Sequence, residues 1–202
     1  MKMSESNTIN YEPVFPSLLA NIDLDLPVDD MANGLLQMEV PNYEGGFTTF
    51  FNKGIMEHLP GYQQLKDAIH GVSTSYMREM KYEVDPEKCG IEIWANVMRK
   101  GCYHSLHLHP HSHLSGTFYV ACSDDMSPIV FNNPTSPYRM HEPRVADPTN
   151  YTPFTAPDLV IKPKPNNLIL WPSWLQHHVP VMKADGPRIS VSFNVDYLPM
   201  GV

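Results

Sequence analysis

Histidine is the residue type whose spacing in this chain could do chemistry. The 202-residue sequence has ten histidines, and four of them alternate in one short stretch: His107, His109, His111 and His113. In an extended strand, residues two apart share a face, so His107 and His109 are expected to point one way and Leu106 and Leu108 the other. Two neutral imidazoles on one face can bind a Zn, Fe, Cu or Ni ion. An exposed, histidine-rich strand edge would show the same pattern.

A candidate third ligand lies further along the chain, in the segment 171–179 (Trp-Pro-Ser-Trp-Leu-Gln-His-His-Val). His177 and His178 are adjacent, so only one of them can face the first pair from a strand. Histidines on separate strands can meet inside a barrel, because facing strands line one interior. A histidine at a strand start could equally satisfy only a local hydrogen bond. Pro110 should end the first strand, so that His111 and His113 diverge from the pair.

The segment 188–194 (Arg-Ile-Ser-Val-Ser-Phe-Asn) alternates between apolar and polar residues without interruption. Arg188, Ser190, Ser192 and Asn194 therefore share one face of a predicted strand. An arginine with a serine hydroxyl two residues on could clamp a carboxylate, since guanidinium binds carboxylate through two parallel hydrogen bonds. An ordinary strand with one face in solvent shows the same alternation.

Two helices and a run of short strands must position these side chains. The helices are predicted at Val28–Glu39 and at Gln63–Tyr82, where apolar residues recur at spacings of three and four. The strands are predicted from period-two patterns and β-forming residues. They are Val14–Asp23, Ile91–Met98, Ser105–His109, Leu114–Ala121, Ile129–Phe131, Leu159–Lys162, Asn167–Leu170, His177–Val181 and Arg188–Tyr197.

This order of elements predicts a mainly β protein with flanking helices, and a jelly roll is the favoured architecture. Twenty prolines favour short strands joined by irregular loops. We expect one domain over residues 1–202, in which 1–89 supply an N-terminal strand and supporting helices and 90–202 form the jelly-roll core with the site. The irregular stretch 132–157 could be a lid, and its candidate recognition residues are Tyr138, Arg139, Tyr151 and Phe154.

Composition excludes several classes of function. Fourteen Lys and Arg against 22 Asp and Glu give a net charge of −8, with no basic cluster of the kind that nucleic-acid binding requires. No run of 18 apolar residues occurs, so no membrane span is expected. Three cysteines without a CxxC pair, and no recognisable signal peptide, favour a cytoplasmic protein.

Several short motifs together resemble one known family. They occur in order as Trp94-x-Asn96, Lys100-Gly101, His107-x-His109-Pro110, Leu114-Ser115-Gly116, Pro172-Ser173-Trp174-Leu175-x-His177-x-Val179 and the 188–194 strand. This series resembles a family of 2-oxoglutarate- and Fe(II)-dependent oxygenases within the superfamily that includes prolyl hydroxylases. The resemblance covers about the second half of the chain.

The resemblance implies a double-stranded β-helix fold, with Fe(II), 2-oxoglutarate and O2 as cofactor, co-substrate and oxidant. His107 and His177 match the first and distal metal ligands of the superfamily's His-x-Asp…His site, and His109 stands where Asp is usual. The implied site is thus a three-histidine variant. Arg188 and Ser190 match the residues that bind the far carboxylate of 2-oxoglutarate, and no catalytic residue beyond the metal ligands is implied. The implied reaction is hydroxylation of a C–H bond, with decarboxylation of 2-oxoglutarate to succinate.

Strand parity adds two candidates to the co-substrate site. Asn96 shares a face with Trp94, and Tyr119 shares a face with Ser115 and Thr117, so that either could reach 2-oxoglutarate or a bound water. A hydrogen bond at the edge of the core would explain each of them equally well.

Two other functions are compatible with the same residues. One is a cupin-like three-histidine dioxygenase that does not use 2-oxoglutarate, although Arg188 and Ser190 would then have no carboxylate to bind. The other is a non-catalytic jelly-roll binding module. A carboxylate ligand from Asp124 or Asp125 is a less favoured possibility. The prime substrate, a small molecule or a peptide or protein side chain, and the oligomeric state are left open.

Overall fold

The computed structural model describes residues 10–39, 41–43, 45–136 and 141–198. Helices α1 (Val28–Met38) and α2 (Tyr62–Glu79) are accompanied by two 3-10 helices, at Lys53–His58 and Pro86–Lys88. The strands of the described ranges are β1 (Ala20–Asp23), β2 (Gly46–Thr48), β3 (Cys89–Met98), β4 (His104–His107), β5 (Leu114–Ala121), β6 (Ile129–Asn132), β7 (Asp158–Ile161), β8 (Asn167–Pro172), β9 (His177–Val179) and β10 (Arg188–Tyr197).

These strands form two antiparallel sheets. The larger has six strands in the order β1-β8-β5-β10-β3-β2, and the smaller has four in the order β4-β9-β6-β7. Two sheets, with helices packed against one of them, confirm the predicted mainly β jelly roll. No helix in the described ranges is both long and apolar enough to cross a membrane.

The central strands of the larger sheet bury both faces. One face packs against the helices, where Leu35 of α1 and Ile69 of α2 belong to the same apolar cluster as Val97 and Val191. The opposite face packs toward the smaller sheet, where Tyr119 and Trp171 cluster with Phe131. Burial on two sides gives the sheet a rigid interior surface, and the candidate site is built there.

Strand β3 illustrates this double burial. Its sequence alternates between apolar positions and the set Trp94, Asn96 and Met98, which predicts two distinct faces. All three of these side chains are nevertheless buried, because their face lies toward the interior between the sheets rather than toward water. The polar Asn96 is only 4% exposed.

Strand register brings the candidate ligands together. Strand β4 pairs antiparallel with β9, and His107 lies directly opposite His177 in that pairing. In the larger sheet, Asn194 of β10 lies opposite Ser115 of β5, and Phe193 lies opposite Gly116. A Cβ on Gly116 would come within 2.1 Å of the Phe193 ring, so this position needs glycine for the two strands to approach.

Several predicted boundaries were wrong in instructive ways. The first strand starts at Ala20 rather than Val14, and Val14 and Phe15 are largely exposed. Strand β2 was not predicted, because three residues are too few to show a period. Strand β4 ends at His107 rather than His109, since the His109 backbone N–H donates to Ser173 O (3.0 Å).

Candidate metal centre and co-substrate site

Three histidines converge at one end of the interior. His107, His109 and His177 each offer one ring nitrogen, and these atoms all lie within 4.8 Å of one another. The ring centroids of His107 and His177 are 4.3 Å apart, and that of His109 is 5.2 Å from each of them. The structure thus brings together the three residues that the sequence suggested as metal ligands.

The other ring nitrogen of each histidine has an oxygen neighbour. Nδ1 of His107 lies 2.7 Å from the Ser105 carbonyl oxygen, and Nδ1 of His177 lies 3.0 Å from that of Leu175. Nδ1 of His109 lies 2.6 Å from Oδ1 of Asn194. An oxygen that can only accept a hydrogen bond keeps the proton on Nδ1 and leaves the Nε2 lone pair free, which is the usual state of a metal-bound histidine.

Burial favours the neutral form of the His177 and His109 imidazoles. Desolvation lowers the pKa of His177 to about 3, against the smaller opposing effect of its bond to the Leu175 carbonyl. Desolvation also lowers the pKa of His109, although the hydrogen bond to Asn194 partly offsets it. Since only neutral imidazole binds a metal ion, both side chains have the protonation state that a ligand requires near neutral pH.

The remaining histidines lie outside the cluster. His113 is exposed and its Nδ1 lies 3.2 Å from a carboxylate oxygen of Asp196, while His111 is exposed with a backbone φ of 68°. Their divergence after Pro110 agrees with the sequence analysis. His178 alternates away from His177, and its buried Nδ1 has no hydrogen-bond partner in the described structure.

His104 lies beside the cluster, and the acidic candidates do not. Its ring centroid is 6.3 Å from that of His107, and burial, followed by the nearby Arg188 cation, lowers its pKa to about 4. Asp124 and Asp125 do not belong to the cluster of candidate ligands found in the described ranges. Asp125 instead accepts a hydrogen bond from Ser123 Oγ on the surface (2.6 Å).

Arg188 is a buried cation, with only 2% of its surface exposed. Its Nε donates to the Ser127 carbonyl oxygen (3.2 Å), Nη1 to Ser190 Oγ (3.4 Å) and Nη2 to the Tyr119 hydroxyl (3.4 Å). These partners are all neutral, and in the described ranges no carboxylate forms an ion pair with Arg188. A buried charge without a counter-charge is costly, which makes this a place where an anion would be stabilised.

The two candidates from strand parity occupy different surroundings. Tyr119 is fully buried beneath Arg188, whose Cζ lies 5.0 Å from the phenol ring centroid. Burial raises the pKa of Tyr119, against a smaller opposing effect of the Arg188 charge, so it stays a neutral hydroxyl. Asn96 donates through Nδ2 to Ser192 Oγ (3.1 Å) and faces the large cavity beside the histidines.

That cavity has a volume of about 1090 Å³ and opens to solvent next to His107 and His109. Its walls are strongly aromatic, with Phe50, Trp94 and Tyr103 among the lining side chains. The Trp94 ring centroid lies 6.0 Å from that of His109. A cavity of this size can hold a small molecule or several residues of a peptide.

Two of the four candidate recognition residues of the predicted lid can be located. Tyr151 and Phe154 are exposed, and neither lines the cavity. Tyr138 and Arg139 lie outside the described residues.

Sequence reasoning missed the residues behind His109. Asn194 Oδ1 accepts a hydrogen bond from Ser115 Oγ (2.9 Å) as well as facing His109, and Ser115 Oγ lies 2.7 Å from Ser173 Oγ. All three residues belong to motifs of the sequence, and alternation places Asn194 on the same face as Arg188. Their convergence depends on the register among β5, β8 and β10, which no local pattern encodes.

The fold and these side chains define a class: a jelly-roll protein with three clustered histidines that could hold a metal ion and a buried arginine that could bind an anion. A family model described as "Putative 2OG-Fe(II) oxygenase" matches residues 92–194, about half of the chain, so the protein belongs to the 2-oxoglutarate- and Fe(II)-dependent oxygenases. The predicted enzyme class is therefore confirmed, as are its cofactors Fe(II), 2-oxoglutarate and O2.

Solved structures agree with this fold. A prolyl-4-hydroxylase from Pseudomonas putida aligns over 91% of this chain and 94% of its own, with a TM-score of 0.60 and 12% identity. HygX from Streptomyces hygroscopicus, with nickel and 2-oxoglutarate bound, aligns over 92% of this chain and 84% of its own, with a TM-score of 0.59 and 11% identity.

A third match is partial. It is an oxidoreductase of the 2OG-Fe(II) oxygenase family from Burkholderia pseudomallei, with 15% identity and a TM-score of 0.44. The alignment covers 60% of the present chain and spans half the length of the Burkholderia protein. No sequence among curated proteins shows significant similarity to the chain.

Proposed function

We propose that the protein hydroxylates a C–H bond of its substrate, with His107, His109 and His177 holding Fe(II) and with Arg188 and Ser190 binding 2-oxoglutarate. Asn96 and Tyr119 complete the co-substrate site. The overall reaction is R–H + 2-oxoglutarate + O2 → R–OH + succinate + CO2. One oxygen atom enters the product and the other enters succinate, and the oxidation of 2-oxoglutarate supplies the two electrons that balance the step.

The observation that carries this proposal is the uncompensated charge of Arg188. A buried guanidinium surrounded only by neutral partners favours an anionic ligand, and its planar fork suits a carboxylate. The Ser190 and Tyr119 hydroxyls flank the same guanidinium and can donate to the second carboxylate oxygen. A dioxygenase that used no 2-oxoglutarate would have no need for this buried cation.

The three histidines fit a metal ion that must also bind a dianion. Neutral imidazoles leave the full +2 charge of the ion uncompensated, and the −2 charge of 2-oxoglutarate balances it. When bound, Fe(II) supplies the activation of O2, which side chains cannot provide. The protein's own part is to hold three ligands in fixed tautomers and to orient the co-substrate through Arg188.

The aromatic cavity supports a site for the prime substrate, because it opens beside His107 and His109. Trp94 and Phe50 both line this cavity, and their rings meet edge to face with centroids 5.3 Å apart. Lys53 lies 4.5 Å from the centroid of the Phe50 ring and pairs with Glu92 at the rim (3.1 Å). The occupant would be a small molecule or the side chain of a peptide, positioned by apolar contact with this wall.

A cytoplasmic location is part of the same proposal. Its basis in the sequence is three cysteines without a CxxC pair, which favours a reducing compartment over a disulfide framework. Reduced cysteines are typical of the cytosol, where Fe(II) and 2-oxoglutarate are also available.

The decisive experiment needs no known substrate. Purified protein with Fe(II), ascorbate, O2 and 2-oxoglutarate should form succinate slowly, and His107→Ala should abolish this turnover. Arg188→Ala should raise the 2-oxoglutarate concentration that is required, whereas Arg99→Ala, which removes a surface arginine paired with Glu39, should not. If metal-loaded protein neither binds 2-oxoglutarate nor forms succinate, the proposal fails and a cupin-like dioxygenase or a binding module takes its place.

A further inference from the structure

We propose that Asn194, supported by Ser115 and Ser173, is a positioning residue that fixes the tautomer and the orientation of His109. This inference rests on the proposed function, since it takes His109 as a metal ligand. It goes further by assigning a role to three side chains that bind neither the metal nor 2-oxoglutarate.

His109 differs from the other two candidate ligands in how its Nδ1 is held. The acceptors for His107 and His177 are backbone carbonyls two residues earlier in the chain, at Ser105 and Leu175. His109 lies beyond the end of β4, and its acceptor is a side chain 85 positions away on β10. Among the three, only the orientation of His109 depends on a side chain that a substitution can remove.

The contacts around His109 form a closed ring. Its backbone N–H donates to the Ser173 carbonyl oxygen at 3.0 Å. From the side chain of Ser173, contacts run to Ser115 Oγ (2.7 Å), then to Asn194 Oδ1 (2.9 Å), and back to His109 Nδ1 (2.6 Å). Both the main chain and the ring of His109 are therefore tied to the same three residues.

The supporting hydroxyls are fully buried, where a polar group needs a partner. Ser115 is 0% exposed and Ser173 is 1% exposed, so bulk water cannot satisfy either hydroxyl. Hydroxyls at such positions cost free energy unless they are hydrogen-bonded. The Ser173 hydroxyl bonds to that of Ser115, and Ser115 in turn donates to Asn194 Oδ1. In the described ranges, the hydrogen bonds of these hydroxyls lead through Asn194 Oδ1 to His109, which indicates what the network serves.

Strand register explains how these residues, which lie far apart in the sequence, come together in space. Ser115 lies opposite Asn194 on one side and Trp171 on the other, so that β10 and β8 flank it. Gly116 next to it leaves room for the ring of Phe193, and a Cβ there would also come within 2.6 Å of the Ile169 carbonyl oxygen. Leu-Ser-Gly, Pro-Ser and Phe-Asn thus contribute to one arrangement behind a single histidine.

The chemistry gives a reason for this arrangement. A carboxylate ligand offers equivalent oxygens, but a neutral imidazole binds a metal through Nε2 only if its proton is on Nδ1. The amide oxygen of Asn194 selects that tautomer. The reversed amide would present Nδ2 to His109 instead, keep the proton on Nε2 and block the metal, so the orientation of one amide decides whether the site works.

The tautomer can be measured in the metal-free protein. In ¹⁵N NMR spectra of histidine-labelled protein near pH 8, above the ordinary imidazole pKa of about 6.5, His109 should carry its proton on Nδ1. Asn194→Ala should move it toward the Nε2–H form that predominates for histidine in water. Asn194→Asp keeps an oxygen acceptor and should restore the Nδ1–H form. The control is Asp196→Asn. Asp196 is the next residue on the same face of β10, but it contacts His113 rather than His109, so this variant should leave the His109 tautomer unchanged.

A second readout uses nickel(II) as a redox-stable probe, since imidazole binds nickel well. Loss of an outer hydrogen bond typically costs 10- to 100-fold in metal affinity. Calorimetry should show a loss of this size for Asn194→Ala and recovery in Asn194→Asp.

The two proposals fail in different ways. An Nε2–H tautomer for wild-type His109, which is readable even if no variant folds, overturns the role of Asn194, as does a spectrum unchanged by Asn194→Ala. If the tautomer responds as expected but His109→Ala still binds nickel like the wild type, Asn194 orients His109 but His109 is not a ligand. That outcome overturns the metal assignment, and with it the positioning role.

Discussion

The guanidinium of Arg188 stacks over the ring of Tyr119 and also donates to its hydroxyl. Its Cζ lies 5.0 Å from the ring centroid, and Nη2 lies 3.4 Å from the phenol oxygen. The two residues come from neighbouring strands, β10 and β5, and both are at most 2% exposed. The cation is thus held rigidly by a neutral aromatic partner, with its charge uncompensated.

We therefore expect Arg188 to dominate the affinity for 2-oxoglutarate. A charge-assisted hydrogen bond contributes about 1.5–3 kcal/mol, so Arg188→Ala should weaken binding by roughly 10- to 150-fold. Arg188→Lys should recover only part of this, because an ammonium lacks the planar fork. Calorimetry on metal-loaded protein measures both, with Arg99→Lys as a control for a surface arginine. An unchanged affinity in Arg188→Ala would remove this residue from the co-substrate site.

Much of this arrangement follows from local sequence patterns, and the rest depends on long-range pairing. Strands β5 and β10 were predicted with their observed bounds, since their β-forming residues and, in β10, an unbroken alternation mark them clearly. The three histidines and Arg188 were found from spacing and motif order. The link from Asn194 to His109 was not, because it requires knowing that β10 pairs with β5 in one particular register. Strand β2 was not predicted, because its three residues form a strand only through their pairing with β3.

His177 and His178 should differ sharply in their effect on metal binding. His177 is buried in the cluster, whereas His178 points away from it and its Nδ1 has no partner in the described structure. His177→Ala should abolish stoichiometric nickel binding, because it removes one of the three proposed ligands. His178→Ala should change the affinity by less than about tenfold, below the 10- to 100-fold cost of losing an outer hydrogen bond. Titrations of the two variants in parallel test this, and the reverse order would show that His178 is the ligand.

Gly116 should be essential for the packing of the larger sheet. Its Cβ in Gly116→Ala would meet the Phe193 ring at 2.1 Å and the Ile169 carbonyl oxygen at 2.6 Å, and backbone cannot move aside cheaply. Overpacking of a core typically costs about 1–3 kcal/mol, so the free energy of unfolding in urea should fall by at least this much.

Gly71 provides the matched control for that substitution. It lies exposed in α2, and a Cβ there would meet nothing within 4 Å. Gly71→Ala should therefore stabilise the protein by up to about 1 kcal/mol, through higher helix propensity. Equal losses of stability in both variants would mean that the close approach at Gly116 does not limit the fold.

The pH dependence of metal binding should report how deeply the histidines are buried. Three imidazoles with ordinary pKa values near 6.5 would each release a proton on binding below that pH, which gives a limiting slope of about three for log affinity against pH. Desolvation lowers the pKa of His177 to about 3. At about pH 5.5, one unit below the ordinary imidazole pKa, His177 is therefore already neutral and releases no proton when the metal binds. The pKa of His109 is lowered as well, which reduces its contribution in the same direction. A lowered pKa means weaker competition from protons, so over the range from about pH 5.5 to 7.5 nickel affinity should persist to lower pH. At the acid end of this range the slope should stay below two, where three ordinary imidazoles would bring it close to three. Calorimetric titrations across this range, with folding checked at each pH, measure the slope.

The His109→Asp variant should have the same slope as the wild type or a smaller one, since a carboxylate is ionised throughout this pH range. A wild-type slope near three would show that all three imidazoles titrate normally, and hence that the metal-free site is open to water rather than buried.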